Sequence, residues 1–324
     1  MDKITVLISF NLPNTYVERI KSVSPSLEIL QSENREEAMR LIGDADILFA
    51  GFFSKDLFLT AKKLKWIQAW GAGVDRLLLP EVIESRVTIT NAGGIHPTPI
   101  SEHVIGLMLC FCRKFHFLIR NQMERKWERL ESLPSTEQVE ELSGKTVGIV
   151  GLGRIGTEIA EKTKCLGMRV IATRRDPSRQ ASTSVDQLVH PTNLNQLLSE
   201  SDFVVLSLPL TRETQGMIGE TQLKSMKRTG YLINVSRGGI VQENELIKAL
   251  KQRWIAGAGL DTFESEPLLE NSELWGFKNV IITPHIAGLT PYYDERLTNI
   301  FCENLKRFIN KQPMINLVDK RLGY

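Results

Sequence analysis

The stretch KTVGIVGLGRIGTEIAEKTKCLGMRVIATRR, residues 145–175, decides the fold. Thr146–Val150 is short, apolar and β-branched, which reads as a buried strand. Gly151-Leu152-Gly153-Arg154-Ile155-Gly156 follows at once. Thr157–Leu166 then takes helical spacing, with Ile155, Ile159, Thr163 and Leu166 on one face, and Arg169–Thr173 reads as a second strand. The pattern is one βαβ unit with G-x-G-x-x-G at its first turn. Gly151 permits the tight turn, Gly153 lets a pyrophosphate approach the backbone, and Gly156 lets helix and strand pack closely. The helix start at Arg154 and Ile155 offers unpaired N–H groups and a positive dipole end to phosphates. These five residues are therefore candidate dinucleotide ligands.

The end of the second strand ordinarily carries an acid that binds the ribose diol of NAD. Here it reads Thr173-Arg174-Arg175. Two guanidinium groups suit a 2′-phosphate better than a diol, which predicts NADP(H) as the preferred coenzyme, NAD(H) being the alternative. In that alternative the arginines face solvent and Asp176 takes the ribose.

Downstream, the strand pattern continues at Phe203–Leu208, Tyr231–Val235, Ala256–Leu260 and Val280–Thr283, with helical stretches at Asn193–Leu198, Glu220–Met226 and Glu243–Lys251. This completes a doubly wound parallel sheet, whose ligands bind beyond the C-terminal strand ends. Those ends carry Leu208-Pro209, Val235-Ser236-Arg237, Asp261 with Glu266 close behind, and His285 with Gly288. The set suits reduction of a 2-oxo acid, which needs a hydride, a proton and a cation for the carboxylate. Arg237 would grip the carboxylate and polarise the carbonyl. His285 would supply the proton, because imidazole ordinarily titrates near neutrality. Glu266 would orient the imidazole, and Asp261 would hold the nicotinamide amide or ribose.

Upstream, strand-like runs at Ile4–Phe10, Leu27–Leu30, Ile47–Gly51, Trp66–Trp70 and Val87–Asn91 alternate with helical ones at Tyr16–Val23, Glu36–Ile42 and Lys55–Ala61. A smaller α/β domain with a parallel sheet is expected. Gly71-Ala72-Gly73 follows a strand and offers backbone N–H groups to an anion. Phe52 and Phe53 follow another and would line an apolar pocket or belong to the core. Pro97-Thr98-Pro99 breaks the chain before one long buried helix over about 100–121, a candidate subunit interface if it is not plain core. A polar loop is expected over 131–141, and an amphipathic helix over 294–309 should return to the first domain.

The chain has 324 residues, enough for two full cores. Its 40 basic and 38 acidic residues argue against nucleic acid as main partner. No stretch reaches the roughly 18 apolar residues of a membrane span, and the start MDKITVLISF reads as a first strand rather than a signal peptide. Cys110, Cys112, Cys165 and Cys302 lack metal-site spacing, lie in apolar helical segments and read as buried free thiols, so no metal is expected and a cytoplasmic setting is.

The motifs G-L-G-R-I-G, I-N-V-S-R-G-G at 233–239, L-D-T-F-E-S-E-P at 260–267, T-P-H-I-A-G at 283–288 and N-A-G-G-I-H-P-T-P-I-S-E-H at 91–103 resemble the D-isomer-specific 2-hydroxyacid dehydrogenase family over nearly the whole chain. The resemblance implies Arg237, Glu266 and His285 as the catalytic set, with Asp261 on the cofactor. It implies that Ala72 and Gly73 give N–H groups to the substrate carboxylate. It further implies that Leu208, Pro209, Val235, Ser236, Gly288 and Ile100 flank the coenzyme. The architecture implied is a Rossmann cofactor domain at 98–289 and a discontinuous flavodoxin-like substrate domain at 1–97 and 290–324, with a cleft between them, in a homodimer. Arg174 departs from the usual acid and resembles the NADPH-using glyoxylate/hydroxypyruvate reductases. Tyr292 and Tyr293 fall just past His285 and would reach the substrate or pack between domains. A nicotinamide-sensing, corepressor-like binding protein is the alternative of another class. A relative for a phosphorylated or bulky acid, phosphoglycerate dehydrogenase-like, is the nearer one.

Overall fold

The computed structural model describes residues 3–127, 138–175 and 183–323. The chain forms two compact units, Met1–Ile95 with Thr290–Tyr324, and His96–Leu289. In the first unit β1 (Ile4–Ile8), β2 (Leu27–Gln31), β3 (Ile47–Ala50), β4 (Trp66–Ala69) and β5 (Thr88–Thr90) form one sheet in the order β2-β1-β3-β4-β5. Every pairing in it is parallel. This is the flavodoxin-like order. Helices α1 (Asn14–Lys21), α2 (Arg35–Leu41), α3 (Lys55–Thr60) and α4 (Pro80–Glu84) connect its strands. Asn34 and Ser54 cap α2 and α3 by accepting from the N–H groups of Glu37 and Leu57, which explains where those helices begin.

In the second unit the seven strands run β12-β11-β10-β9-β6-β7-β8, all parallel. Their ranges are β6 (Thr146–Val150), β7 (Arg169–Thr173), β8 (Gln187–Val189), β9 (Phe203–Leu206), β10 (Tyr231–Asn234), β11 (Gly257–Leu260) and β12 (Val280–Ile282). The helices are α5 (Pro97–Cys112), α6 (Phe115–Met123), α7 (Arg154–Cys165), α8 (Leu194–Glu200), α9 (Glu220–Ser225) and α10 (Glu243–Lys251). The strand order reverses between β6 and β9, so the glycine turn after β6 stands at the switch point where such sheets hold ligands. The doubly wound α/β expectation is met. Helix α5 supplies Val104, Leu107, Met108 and Phe111 to a core shared with Val147, Ile149, Val205 and Ile233. Each such side chain, fully buried, contributes about 1.5–3 kcal/mol.

The tail helix α11 (Tyr293–Ile309) belongs to the first unit. Tyr293, Leu297, Phe301 and Leu305 recur every fourth residue and are all buried. Phe301 stacks on Phe49 and Trp66 with ring centroids 4.2 and 5.2 Å apart.

Four expectations need correction. The long helix begins at Pro97 rather than after Pro99, because its first turn needs no N–H donors and accepts proline. It is not one helix: the chain breaks at Lys114, whose φ is 59° and whose Nζ reaches Tyr231 Oη at 3.4 Å. Beyond the break, α6 is not buried throughout. Strand β8 was not expected, because a three-residue edge strand has too little apolar pattern to register. Cys165 is exposed at the end of α7 and Cys110 half-buried, so only Cys112 and Cys302 are buried thiols. Most of the loop expected over 131–141 lies outside the described residues, as does Asp176.

Candidate active site

The glycine turn is pinned from both sides. Gly151 has φ 103°, a conformation that favours glycine, and a side chain there would meet the Ser207 carbonyl at 2.8 Å. Its N–H donates to Thr173 Oγ1 at 3.0 Å, and its carbonyl accepts from Ser207 Oγ at 2.8 Å. Thr173 is thus spent on the turn and is buried. Gly153 precedes α7 without a side-chain cap, and open space lies where its side chain would stand. A cavity of about 550 Å³ lies there, lined by Gly153, Arg154, Thr157 and Arg174 among others. An uncapped helix start facing an open cavity, with Arg154 and Arg174 on its wall beside Glu158 and Glu161, fits a dinucleotide's phosphates. Arg174 faces this cavity, whereas Arg175 forms an ion pair with Glu213.

Beyond β9 and β10, Ser236 is buried, donates to the Leu206 carbonyl at 2.8 Å and accepts from the Leu208 N–H at 3.0 Å. Val235 is buried beside it, Leu208 half-buried and Pro209 exposed. Ile100 is buried in the α5 core. Arg237 is half-buried, and its Nη1 donates to the Ser236 carbonyl at 2.8 Å. A side chain at the following Gly238 would stand 1.8 Å from the Phe263 carbonyl carbon. The backbone after β10 therefore presses on the backbone after β11, which brings the segment bearing Arg237 against the one bearing Glu266.

His285 Nδ1 lies 2.8 Å from Glu266 Oε2, with 46% of the imidazole and 28% of the carboxylate side chain exposed. A carboxylate only accepts, so Nδ1 carries the hydrogen and Nε2 is left for exchange. Glu266 Oε1 accepts from the Phe263 N–H at 3.2 Å, which fixes the acid in turn. His285 has φ 55°, a left-handed conformation that costs a non-glycine residue about 1–2 kcal/mol.

Asp261 explains how that conformation is held. It is 1% exposed. Its Oδ1 accepts from Thr283 Oγ1 at 2.6 Å and from the Ile286 N–H at 2.9 Å, and its Oδ2 accepts from the Ala287 N–H at 3.0 Å. Its carbonyl accepts from the His285 N–H at 2.9 Å. The Asp261 carboxylate thus grips the loop that carries His285. His103 extends the chain: its Nε2 lies 3.1 Å from Thr283 Oγ1, whose own hydrogen goes to Asp261. Burial pushes the His103 pKa down and the Asp261 charge opposes it.

His96, at the start of α5, is a further neighbour that sequence reasoning missed. Burial, and then the Arg237 charge, push its pKa down to about 4, so it is neutral near pH 7. A side chain at Gly288 would meet the His96 ring at 2.8 Å. The only sequence signal for His96 and His103 was their place in the N-A-G-G-I-H-P-T-P-I-S-E-H motif.

In the first unit, the loop Gly71-Ala72-Gly73 is held by its carbonyls. Gly71 accepts from the Ala92 N–H at 3.0 Å and Ala72 from Asn91 Nδ2 at 2.9 Å. The N–H groups of Ala72 and Gly73 donate to nothing among the described residues. Of the two tyrosines past His285, Tyr293 is buried and donates to the Trp70 carbonyl at 2.8 Å, while Tyr292 is exposed. Phe52 and Phe53 are half-buried, packed against the first unit's second core cluster. No group of three or more metal-ligating side chains occurs among the described residues.

Residues 105–287 match the D-isomer specific 2-hydroxyacid dehydrogenase, NAD binding domain. A glyoxylate reductase of Thermofilum pendens is 33% identical over 330 residues, 96% of this chain and 95% of its own length. A solved D-isomer specific 2-hydroxyacid dehydrogenase family protein from Aeromonas salmonicida is 34% identical, with a TM-score of 0.86 over 99% of this chain and 100% of that one. An NADPH-dependent glyoxylate/hydroxypyruvate reductase of Sinorhizobium meliloti, solved with NADP and sulfate, is 28% identical, with a TM-score of 0.85 over 99% of this chain and 100% of its own.

Proposed function

The chain belongs to the D-isomer-specific 2-hydroxyacid dehydrogenase family, an NAD(P)-dependent oxidoreductase, and on that premise we propose that it reduces a small 2-oxo acid to the D-2-hydroxy acid with NADPH. The observation that carries this reading is the His285–Glu266 pair, 2.8 Å apart, beyond the strand ends of the sheet that also bears the glycine turn. When bound, the nicotinamide supplies the hydride that adds to the carbonyl carbon. Arg237 grips the carboxylate and polarises the carbonyl. Ala72 and Gly73, whose N–H groups donate to nothing among the described residues, are donors for a carboxylate. His285 gives its Nε2 proton to the carbonyl oxygen, and Glu266 stabilises the imidazolium before that transfer. Leu208, Pro209, Val235, Ser236, Ile100 and Gly288 flank the coenzyme. In this reading the second unit binds the coenzyme and carries Arg237, Glu266 and His285.

The coenzyme preference rests on Arg174, which lines the cavity at the glycine turn. Arg174→Ala is expected to raise the KM for NADPH about tenfold or more, the loss of a charge-assisted phosphate contact, and to leave that for NADH nearly unchanged. Arg175→Ala should do less, since Arg175 is engaged by Glu213. Equal shifts for both coenzymes would overturn the preference. The reaction itself is tested by following oxidation of NADPH with glyoxylate, hydroxypyruvate, and branched and aromatic 2-oxo acids. Absence of oxidation with all of them would sink it.

A homodimer is the assembly we propose. Phe115, Ile119 and Met123 line one face of α6 at four-residue spacing, 46%, 55% and 81% exposed, and Trp127, beyond the helix end, is 95% exposed. An apolar stripe of this kind is covered in most folded chains. Sedimentation should give twice the 36.6 kDa chain mass, and Ile119→Lys with Met123→Lys should halve it. A monomeric parent protein would refute the assembly. Four free cysteines support a cytoplasmic setting, which cell fractionation checks. No helix among the described residues is long and apolar enough to cross a membrane.

A further inference from the structure

We propose that Trp70, braced by Tyr293, is the residue that selects the substrate's substituent, and that it favours 2-oxo acids with a branched or aromatic side chain over glyoxylate. The proposal rests on the reading of Ala72 and Gly73 as carboxylate donors.

Trp70 is out of character with the strand that leads to it. Trp66, Ile67, Gln68 and Ala69 are all buried, yet Trp70 is 38% exposed at the C-terminal end of β4. The ring is nonetheless fixed. Tyr293 stacks on it with centroids 4.3 Å apart and planes 26° apart, and Tyr293 Oη donates to the Trp70 carbonyl at 2.8 Å. The Trp70 N–H donates to the Ala50 carbonyl at 2.9 Å. Tyr293 is itself 8% exposed, and burial pushes its phenol pKa well up, so it stays a donor through the neutral range. A large apolar surface held in one pose at both backbone and ring, but left uncovered, is a surface prepared for contact at little ordering cost.

Its neighbours say what it would contact. Two and three residues on stand the uncommitted N–H groups of Ala72 and Gly73, so an acid held there presents its substituent close to the indole. Phe52, after the adjacent strand β3, packs into the core on the other face of the sheet, with the Arg35 guanidinium 5.7 Å from its ring centre, so the apolar wall on this face is the Trp70–Tyr293 pair. Glyoxylate carries only hydrogen where larger acids carry a side chain, so it gains nothing from an indole wall. A substituent of four to seven carbons gains apolar burial there, and discrimination by such burial reaches about 10–200-fold in kcat/KM.

The test compares kcat/KM for phenylpyruvate, 4-methyl-2-oxopentanoate and glyoxylate with saturating NADPH. The wild-type chain should favour the two larger acids by about tenfold or more. Trp70→Ala should lower kcat/KM for them about tenfold and move that for glyoxylate less than about threefold. Trp70→Phe should restore most of the loss. Tyr293→Phe, which keeps the stack and removes the hydroxyl, should fall between, and it carries the test should Trp70→Ala fail to fold. Equal losses for all three acids, or a wild-type chain that prefers glyoxylate, would overturn the selectivity while leaving the reduction intact. Turnover of none of the acids by the wild-type chain would overturn the reduction and this inference with it.

Discussion

Replacing His285 with alanine is expected to lower kcat for 2-oxo acid reduction by about 10²–10⁴, the usual worth of a placed general acid, with the Kd for NADPH near that of the parent. The separation follows from the geometry. The imidazole is tied through Nδ1 to Glu266 at 2.8 Å, while the glycine turn is held by Thr173 and Ser207 and owes nothing to His285. The sign of the pH dependence follows too. Reduction consumes a proton from the imidazolium, so its rate falls as rising pH removes that proton. Oxidation of the hydroxy acid needs the neutral imidazole as base, so its rate rises over the same range. His285→Ala should flatten both limbs. Glu266→Gln keeps a hydrogen-bonding side chain beside Nδ1 but loses the carboxylate that only accepts, so it should reduce kcat less than His285→Ala does. An unaltered pH–rate profile in His285→Ala would assign the proton to another group.

The parts of this site that were legible in the sequence share a physical property: local pattern encodes them. Arg237, Glu266 and His285 each follow a short apolar strand, and a parallel sheet delivers whatever follows its strands to one edge. The glycine turn was legible for the same reason, since strand, turn and helix are contiguous in residues 146–165. What escaped is set by contacts between residues far apart in the chain. The break at Lys114 depends on Tyr231, 117 residues away. The role of Asp261 depends on donors more than twenty residues downstream, and that of His103 on Thr283, 180 residues away. The two arginines after β7 looked equivalent in sequence and became different once Glu213 claimed one of them. Trp70 read as the end of a buried strand, and only the placement of Tyr293, 223 residues later, distinguishes a braced surface ring from a core residue.

Asp261→Ala is expected to damage stability and turnover together, and the two losses have one cause. The change strands the Thr283 hydroxyl and the N–H groups of Ile286 and Ala287 around a site that is 1% exposed. A buried donor left without a partner costs about 1–3 kcal/mol, and of the three residues only Ala287 is buried, so a loss of about 1–3 kcal/mol is expected in denaturant unfolding. Those same donors hold the loop in which His285 keeps its left-handed backbone. With the carboxylate gone, the Asp261 carbonyl on the His285 N–H is left to offset that strain without the other three bonds, the loop relaxes, and the imidazole leaves its place beside Glu266. A misplacement of about an ångström costs about 10²-fold in rate, so kcat should fall by that order even in the fraction that stays folded. Asp261→Asn separates the contributions. Its carbonyl oxygen still accepts from Thr283 and Ile286, while its amide opposes the Ala287 N–H with another donor, so it should fall between parent and alanine in both measurements. Thr283→Val removes only the link from His103 and the hydroxyl that reaches Asp261; it should cost about 1 kcal/mol and leave the Ile286 and Ala287 bonds to hold the loop. If Asp261→Ala kept the parent's kcat despite its lost stability, the loop would owe its shape to its own backbone, and Asp261 would be a residue of the core alone.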